Sequence, residues 1–232
     1  MRQFELGSLT SPDVAERAGR TVLLVPLGST EQHGPHLPLS TDTQIAIALS
    51  ERVAAAVPQV LVAPPIHYGS SGEHRAFAGT LSIGLRALEL LLVELCRSAD
   101  AFAGVIVVST HGGNRDAVDR AVGLLRSEGR KVVRWSPSGG DPRDSHAGLG
   151  ETSVQLALRP HLVRQERIQA GNTDPLAQLM PVLAVEGVGA VSRSGVLGDP
   201  TGSKATLGED ILDRWAEDLI EAVRREWDPA LR

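Results

Sequence analysis

Four short stretches of this chain gather the side chains that bind metals or move protons. The first, GSTEQHGPHLPLSTD at residues 28–42, sets Glu31, His33, His36 and Asp42 among two glycines and two prolines. Turn formers of this kind hold a backbone irregular. A second loop, 66–84, carries His67, Tyr68, Glu73, His74 and Arg75. A third, THGGN at 110–114, carries His111 and Asn114, and a fourth, 145–153, carries His146 and Glu151. Of the seven histidines only His161 lies outside such a segment. Imidazole and carboxylate with no thiolate partner suit Zn, Fe or Mn. Catalytic metal sites keep a position open for water, and paired metals share a bridging carboxylate. Glu31, His33, Asp42, His111 and Glu151 are ligands enough for two divalent metal ions, with Asp42 chemically suited to bridge.

Plainer roles stand beside these. Asp42 can be the N-cap of the helix after it, and Glu151 can favour the N-terminal dipole of its own helix. His36, three residues after His33, reads as a residue that hydrogen-bonds a carboxylate behind the ligands. His67 and His74 read as pocket-lining. Arg75 fits a substrate clamp and a solvated side chain equally well, and Asn114 braces the turn that presents His111. Cys96 packs within its helix, His161 is structural, and Trp215 and Trp227 take core or interface positions.

The elements that must position these groups are read from hydrophobic periodicity. Apolar runs predict strands at 21–27, 60–63, 104–109 and 131–135. Helical patterning predicts helices at 43–56, 87–101, 115–128, from the 145–153 motif through 158, and at 207–227, with a short helix opening at Ser11-Pro12-Asp13. Residues 169–205 show little periodicity and much Gly, Pro, Ser and Thr; so long a loop is functional or forms an interface. Strand and helix in alternation predict an α/β layered sandwich: a central, mainly parallel sheet flanked by helices, in a single domain over 1–232. The chemistry-bearing loops then fall at the carboxyl ends of neighbouring strands, where such sheets place their sites.

Composition removes several alternatives. With 42% apolar residues the chain is globular rather than disordered, and with 3% aromatics its core is built from Val, Leu, Ile and Ala. A net charge of -5 without a basic stripe argues against a nucleic-acid partner, and no apolar run reaches the length of a membrane span. The opening residues lack a secretory apolar region, and the one cysteine cannot form an internal disulfide, so the cytoplasm is the expected compartment.

The segments GSTEQHGPHLPLSTD, YGSSGEHRAFAGTLSIG, THGGN, DSHAGLGETS and GVLGDPTGSKAT resemble, in order and spacing, the creatininase (creatinine amidohydrolase) family. The resemblance runs from about Val22 to the closing helix. It implies a creatininase-like fold and a dinuclear metallohydrolase acting on C–N bonds, with Glu31, His33, Asp42, His111 and Glu151 at the ligand positions. His146 matches a histidine that assists proton transfer, and Glu151 also touches the reacting centre. Creatinine-hydrolysing members look like His-x-Glu where this chain has His111-Gly112-Gly113, so creatinine is not the expected substrate. The likeness is instead to the family's peptidase branch. That branch is implied to release a small Val-Tyr-derived unit from a modified ribosomal precursor peptide during redox-cofactor biosynthesis, with Tyr68, His74 and Arg75 at the substrate. A small cyclic amide or formamide is the alternative substrate, and the family resemblance implies a homo-oligomer, a hexamer or larger.

Overall fold

The computed structural model describes residues 4–227. Strands β1 (Val22–Leu27), β2 (Val60–Val62), β3 (Gly104–Ser109) and β4 (Val132–Trp135) form a parallel sheet in the order β2-β1-β3-β4. The helices are α1 (Ser11–Ala15), α2 (Thr41–Ala56), α3 (Gly84–Ser98), α4 (Arg115–Ser127), α5 (Leu149–Leu158), α6 (Leu176–Glu186), α7 (Val188–Val191) and α8 (Ala205–Trp227). No helix among the described residues is long and apolar enough to cross a membrane.

Side chains of a strand alternate between the two faces of its sheet, and the two central strands are apolar on both. Leu24, Ile106 and Val108 pack on one face with Ile45, Leu49 and Val53 of α2 and with Leu212 and Leu219 of α8. Leu23, Val25, Val105 and Val107 pack on the other with Leu88 and Leu92 of α3 and with Val118 and Leu125 of α4. The result is a sheet covered by helices on both faces, the α/β arrangement that the alternating pattern predicts. Cys96 is buried in the α3–α4 layer. Trp215 and Trp227 pack against the α2–α8 layer, their indole N–H groups donating to the carbonyls of Ser138 and Ala103.

One stretch departs from expectation. Residues 169–205 hold α6 and α7 rather than an irregular loop. The α6 sequence is apolar on most of its circumference and carries Pro181 in its interior, so it has no amphipathic period to read. Met180, Val182 and Val185 of α6 remain exposed.

Register positions the site. In the β1–β3 pair Leu27 lies opposite Ser109, so the two central strands end level. The chain therefore enters residues 28–42 and the turn at His111 side by side. Gly28 is closely packed at this exit: a Cβ there would lie 2.3 Å from the backbone nitrogen of Thr43, so any larger residue would push α2 off the sheet. The level strand ends and the tight exit bring the start of α2 down onto the end of β3.

Candidate metal centre

Three groupings bring ligand atoms within 4.8 Å of one another: Glu31 with His33 and His146, Glu31 with Asp42 and His111, and His33 with Asp42 and Glu151. Asp42 belongs to two of them. Its Oδ1 lies 3.4 Å from His33 Nε2 and its Oδ2 lies 3.6 Å from His111 Nδ1. Asp42 is not the helix N-cap; that position is Ser40, and Asp42 sits inside the first turn of α2, where Ser29 Oγ donates to its Oδ2 at 2.5 Å. Glu151 holds a place in the first turn of α5, and its Oε2 accepts the Ala147 N–H at 2.6 Å.

The donor set fits a divalent metal. Both carboxylate oxygens of Glu31 and the Nε2 of His33 are buried with no well-formed hydrogen bond, facing only other ionisable groups at ion-pair distance: Glu31 Oε2 lies 3.1 Å from His111 Nε2 and His33 Nε2 lies 3.4 Å from Asp42 Oδ1. A buried polar atom left unpaired costs about 1–3 kcal/mol, more when charged, and a cation among these atoms removes that cost. The ring orientations agree. His33 Nδ1 faces the Glu31 carbonyl at 3.2 Å and must donate to it, which turns Nε2 toward Asp42 and, at 4.0 Å, Glu151.

A glutamine holds the neighbouring imidazoles. His146 Nε2 donates to the Gln32 backbone carbonyl at 2.9 Å, so His146 Nδ1 carries the lone pair. The Gln32 side-chain NH2 then has two acceptors for its two hydrogens, His74 Nδ1 at 2.8 Å and the Gly195 carbonyl at 3.2 Å. His74 Nε2 in turn faces Glu31 Oε1 at 3.4 Å.

These contacts set the protonation pattern. Burial would lower His33, but the Asp42, Glu151 and Glu31 carboxylates overcome it and raise its pKa to about 10. Burial likewise opposes His111, yet Glu31, Glu73 and Asp42 hold it well above its ordinary value. Burial, reinforced by the charges on neighbouring imidazoles, pushes His146 well below its ordinary value and His74 down to about 3. Asp42 stays below the usual carboxylate range because His33 outweighs its burial, whereas burial lifts Glu151. Without metal, His33 and His111 therefore carry protons at neutral pH, and a metal must displace them. Affinity for a divalent metal is expected to rise with pH toward 10, and uptake at pH 7 to release protons. A titration in weakly buffered indicator dye checks this; metal uptake with no acidification would contradict it.

The other residues expected at the site lie at varying distances from this centre. His36 is fully buried, and its Nε2 meets the Thr152 hydroxyl at 2.8 Å rather than a carboxylate; burial, then the charge on His33, lowers its pKa to about 4. Asn114 is fully buried and joins three loops: Oδ1 accepts the Ser70 N–H at 2.8 Å, Nδ2 donates to the Gly28 carbonyl at 3.0 Å, and its own N–H bonds the His111 carbonyl. His74 lies among the ligand atoms. Tyr68, Arg75 and His67 lie at the surface of the second loop, and His161 is exposed.

A cleft of about 870 Å³ opens beside the centre, lined by His111, His146, Glu151, Arg134, Trp135 and Trp215 among others. Its outer wall is residues 136–141, whose Gly, Pro and Ser content marks a loop in the sequence without showing what the loop faces. Gln32 and Glu73 also belong to the site; each stands next to a histidine in a ligand-bearing loop, and that adjacency is the one signal of them in the sequence.

A family model described as creatininase, creatinine amidohydrolase, matches residues 7–223. A Mycobacterium tuberculosis protein named mycofactocin precursor peptide peptidase is 51% identical over 97% of this chain and 92% of its own length. A crystal structure of creatinine amidohydrolase superposes with a TM-score of 0.86 at 27% identity, covering 99% of this chain and 100% of that one. A structure described as the manganese form of creatininase superposes with a TM-score of 0.85 at 27% identity, covering 97% and 99%.

Proposed function

The chain belongs to the creatininase family of hydrolases, and from that premise we propose that it is a dinuclear peptidase that releases the modified C-terminal Val-Tyr-derived unit from the mycofactocin precursor peptide. The observation that carries the metal part of this reading is Asp42, one carboxylate with an oxygen toward each of two histidines. Glu31, Asp42 and His111 would hold one divalent ion; His33, Asp42 and Glu151 would hold the other. Zn, Mn and Fe all suit this set. A cleft of about 870 Å³ supports a peptide substrate over a compact ring, and so does the likeness to relatives named as peptidases.

Divalent ions held there would polarise the scissile carbonyl and lower the pKa of water from about 15.7 to roughly 7. The protein contributes placement and proton handling. The cleft orients the amide beside His111, His146 and Glu151, which line it. His146, with Nδ1 unprotonated and Nε2 fixed on the Gln32 carbonyl, is placed to take a proton from the attacking water and pass it to the leaving amine as the C–N bond breaks. Glu151 faces the same cleft and shares that duty. His36 and Asn114 position the ligands, while His74, Arg75 and Tyr68 of the second loop contribute to substrate binding. The exposed apolar side chains of α6, with Leu90 of α3 at 62% exposure, support a homo-oligomer; a hexamer or larger is what the family resemblance implies.

The test is incubation of metal-loaded protein with the modified precursor peptide and, separately, with creatinine and a small formamide. Mass spectrometry is expected to show the C-terminal fragment and no turnover of the small amides. Turnover of a small amide without peptide cleavage would establish the alternative, and metal uptake with no turnover of any amide would sink both.

A further inference from the structure

Position 113 has no room for a side chain. A Cβ on Gly113 would lie 2.2 Å from Glu73 Oε1, 2.4 Å from the Ser70 carbonyl oxygen and 2.5 Å from His111 Nε2. The first of these is the informative contact. A carboxylate reaching in from the 3-10 turn Gly72–His74 already occupies the space beside His111, with Oε1 3.4 Å from Nε2. Glu31 Oε2 lies on the same edge, 3.1 Å from Nε2, but belongs to the proposed ligand set; we infer that Glu73 supplies the additional, outer carboxylate that fixes His111 from behind, which the turn after His111 cannot supply in this chain. The inference rests on the metallohydrolase reading above.

The ring fixes the chemistry. His111 Nε2 lies 3.0 Å from the Ser70 carbonyl, which only accepts, so Nε2 carries the hydrogen and Nδ1 presents its lone pair toward Asp42. A carboxylate on the N–H edge of a metal-binding imidazole fixes its tautomer and raises its basicity, and losing such a partner costs roughly 10–100-fold in metal affinity. Glu73 is therefore a positioning residue acting through His111. Gly112, by contrast, is open: nothing lies within 4 Å of where its Cβ would be, and Gly112 lines the cleft. The acidic group reaches His111 from the side of the second loop, and the cleft wall at 112 stays free for a substrate chain.

The test uses full-length protein loaded with Co(II), which reports coordination through its visible bands. Glu73→Gln preserves shape and removes charge; Glu73→Asp preserves charge and shortens the reach. Glu73→Gln is expected to lose roughly 10–100-fold in Co(II) affinity and to shift the visible bands, with Glu73→Asp closer to the parent protein. Parent affinity and spectrum in Glu73→Gln would overturn the inference, and so would a larger loss in Glu73→Asp than in Glu73→Gln, because shape rather than charge would then matter. Failure of the parent protein itself to take up Co(II) would instead overturn the metallohydrolase reading. The Glu73 side chain is 23% exposed, and the unfolding midpoint of each metal-free variant serves as the control for folding.

Discussion

Asp42→Ala is expected to lose at least one divalent ion and to abolish hydrolysis. The fall should exceed the roughly 10²–10³-fold that removing a single transition-state donor costs. Asp42 meets His33 of the first loop through one oxygen and His111 of the third through the other, and it belongs to two of the three groupings. Its removal also leaves the Ser29 hydroxyl without its partner and two imidazoles without their shared counter-charge. Metal analysis and turnover on one preparation decide the matter. Both ions retained with full turnover would remove Asp42 from the site. Asp42→Asn sharpens the result, since it keeps the volume and one acceptor but cannot offer anionic oxygens to both sides; it is expected to resemble Asp42→Ala in activity while folding more like the parent.

Asn114→Ala is expected to give the largest loss of stability among the site variants, about 2–6 kcal/mol, because it strands two buried backbone groups at about 1–3 kcal/mol each. The Ser70 N–H and the Gly28 carbonyl belong to different loops, and Asn114 is the side chain that satisfies both. Asn114→Asp keeps the acceptor for Ser70 but turns an anionic oxygen on the Gly28 carbonyl, so it is expected to rescue little. Urea denaturation of the metal-free proteins measures this. A change within about 0.5 kcal/mol, the range of ordinary surface substitutions, would show that the three loops hold their places without the amide. Metal affinity is expected to fall as well, since His111 and Glu31 sit on two of the loops that Asn114 joins.

The distinction between these residues explains what was legible. His33, His111, Asp42 and Glu151 stand at strand-to-helix junctions in Gly- and Pro-rich turns, and the level ends of β1 and β3 bring such junctions together in any parallel sheet. Asn114 was legible as a brace for its own turn, but its bonds to Gly28 and Ser70 span 86 and 44 residues. No local pattern reports contacts of that length. The helix α6 was hidden for a different reason, since a segment apolar on most sides with an internal proline has no period to detect.

By itself, then, the sequence determined the α/β alternation, the strands that form the sheet, the loops that carry the candidate nitrogen and oxygen ligands, and the family. These depend on local periodicity and on residue type, which a linear chain displays. Tertiary structure alone decided which atom of each imidazole is free, that Gln32 orients His74 and His146, and that the cleft runs along residues 136–141. It also placed the Glu73 carboxylate beside His111. The stretch His111-Gly112-Gly113 shows only that an acid is missing, because a linear chain displays neighbours in order and not neighbours in space. The carboxylate that takes that space belongs to Glu73, on an earlier loop folded against the same ring.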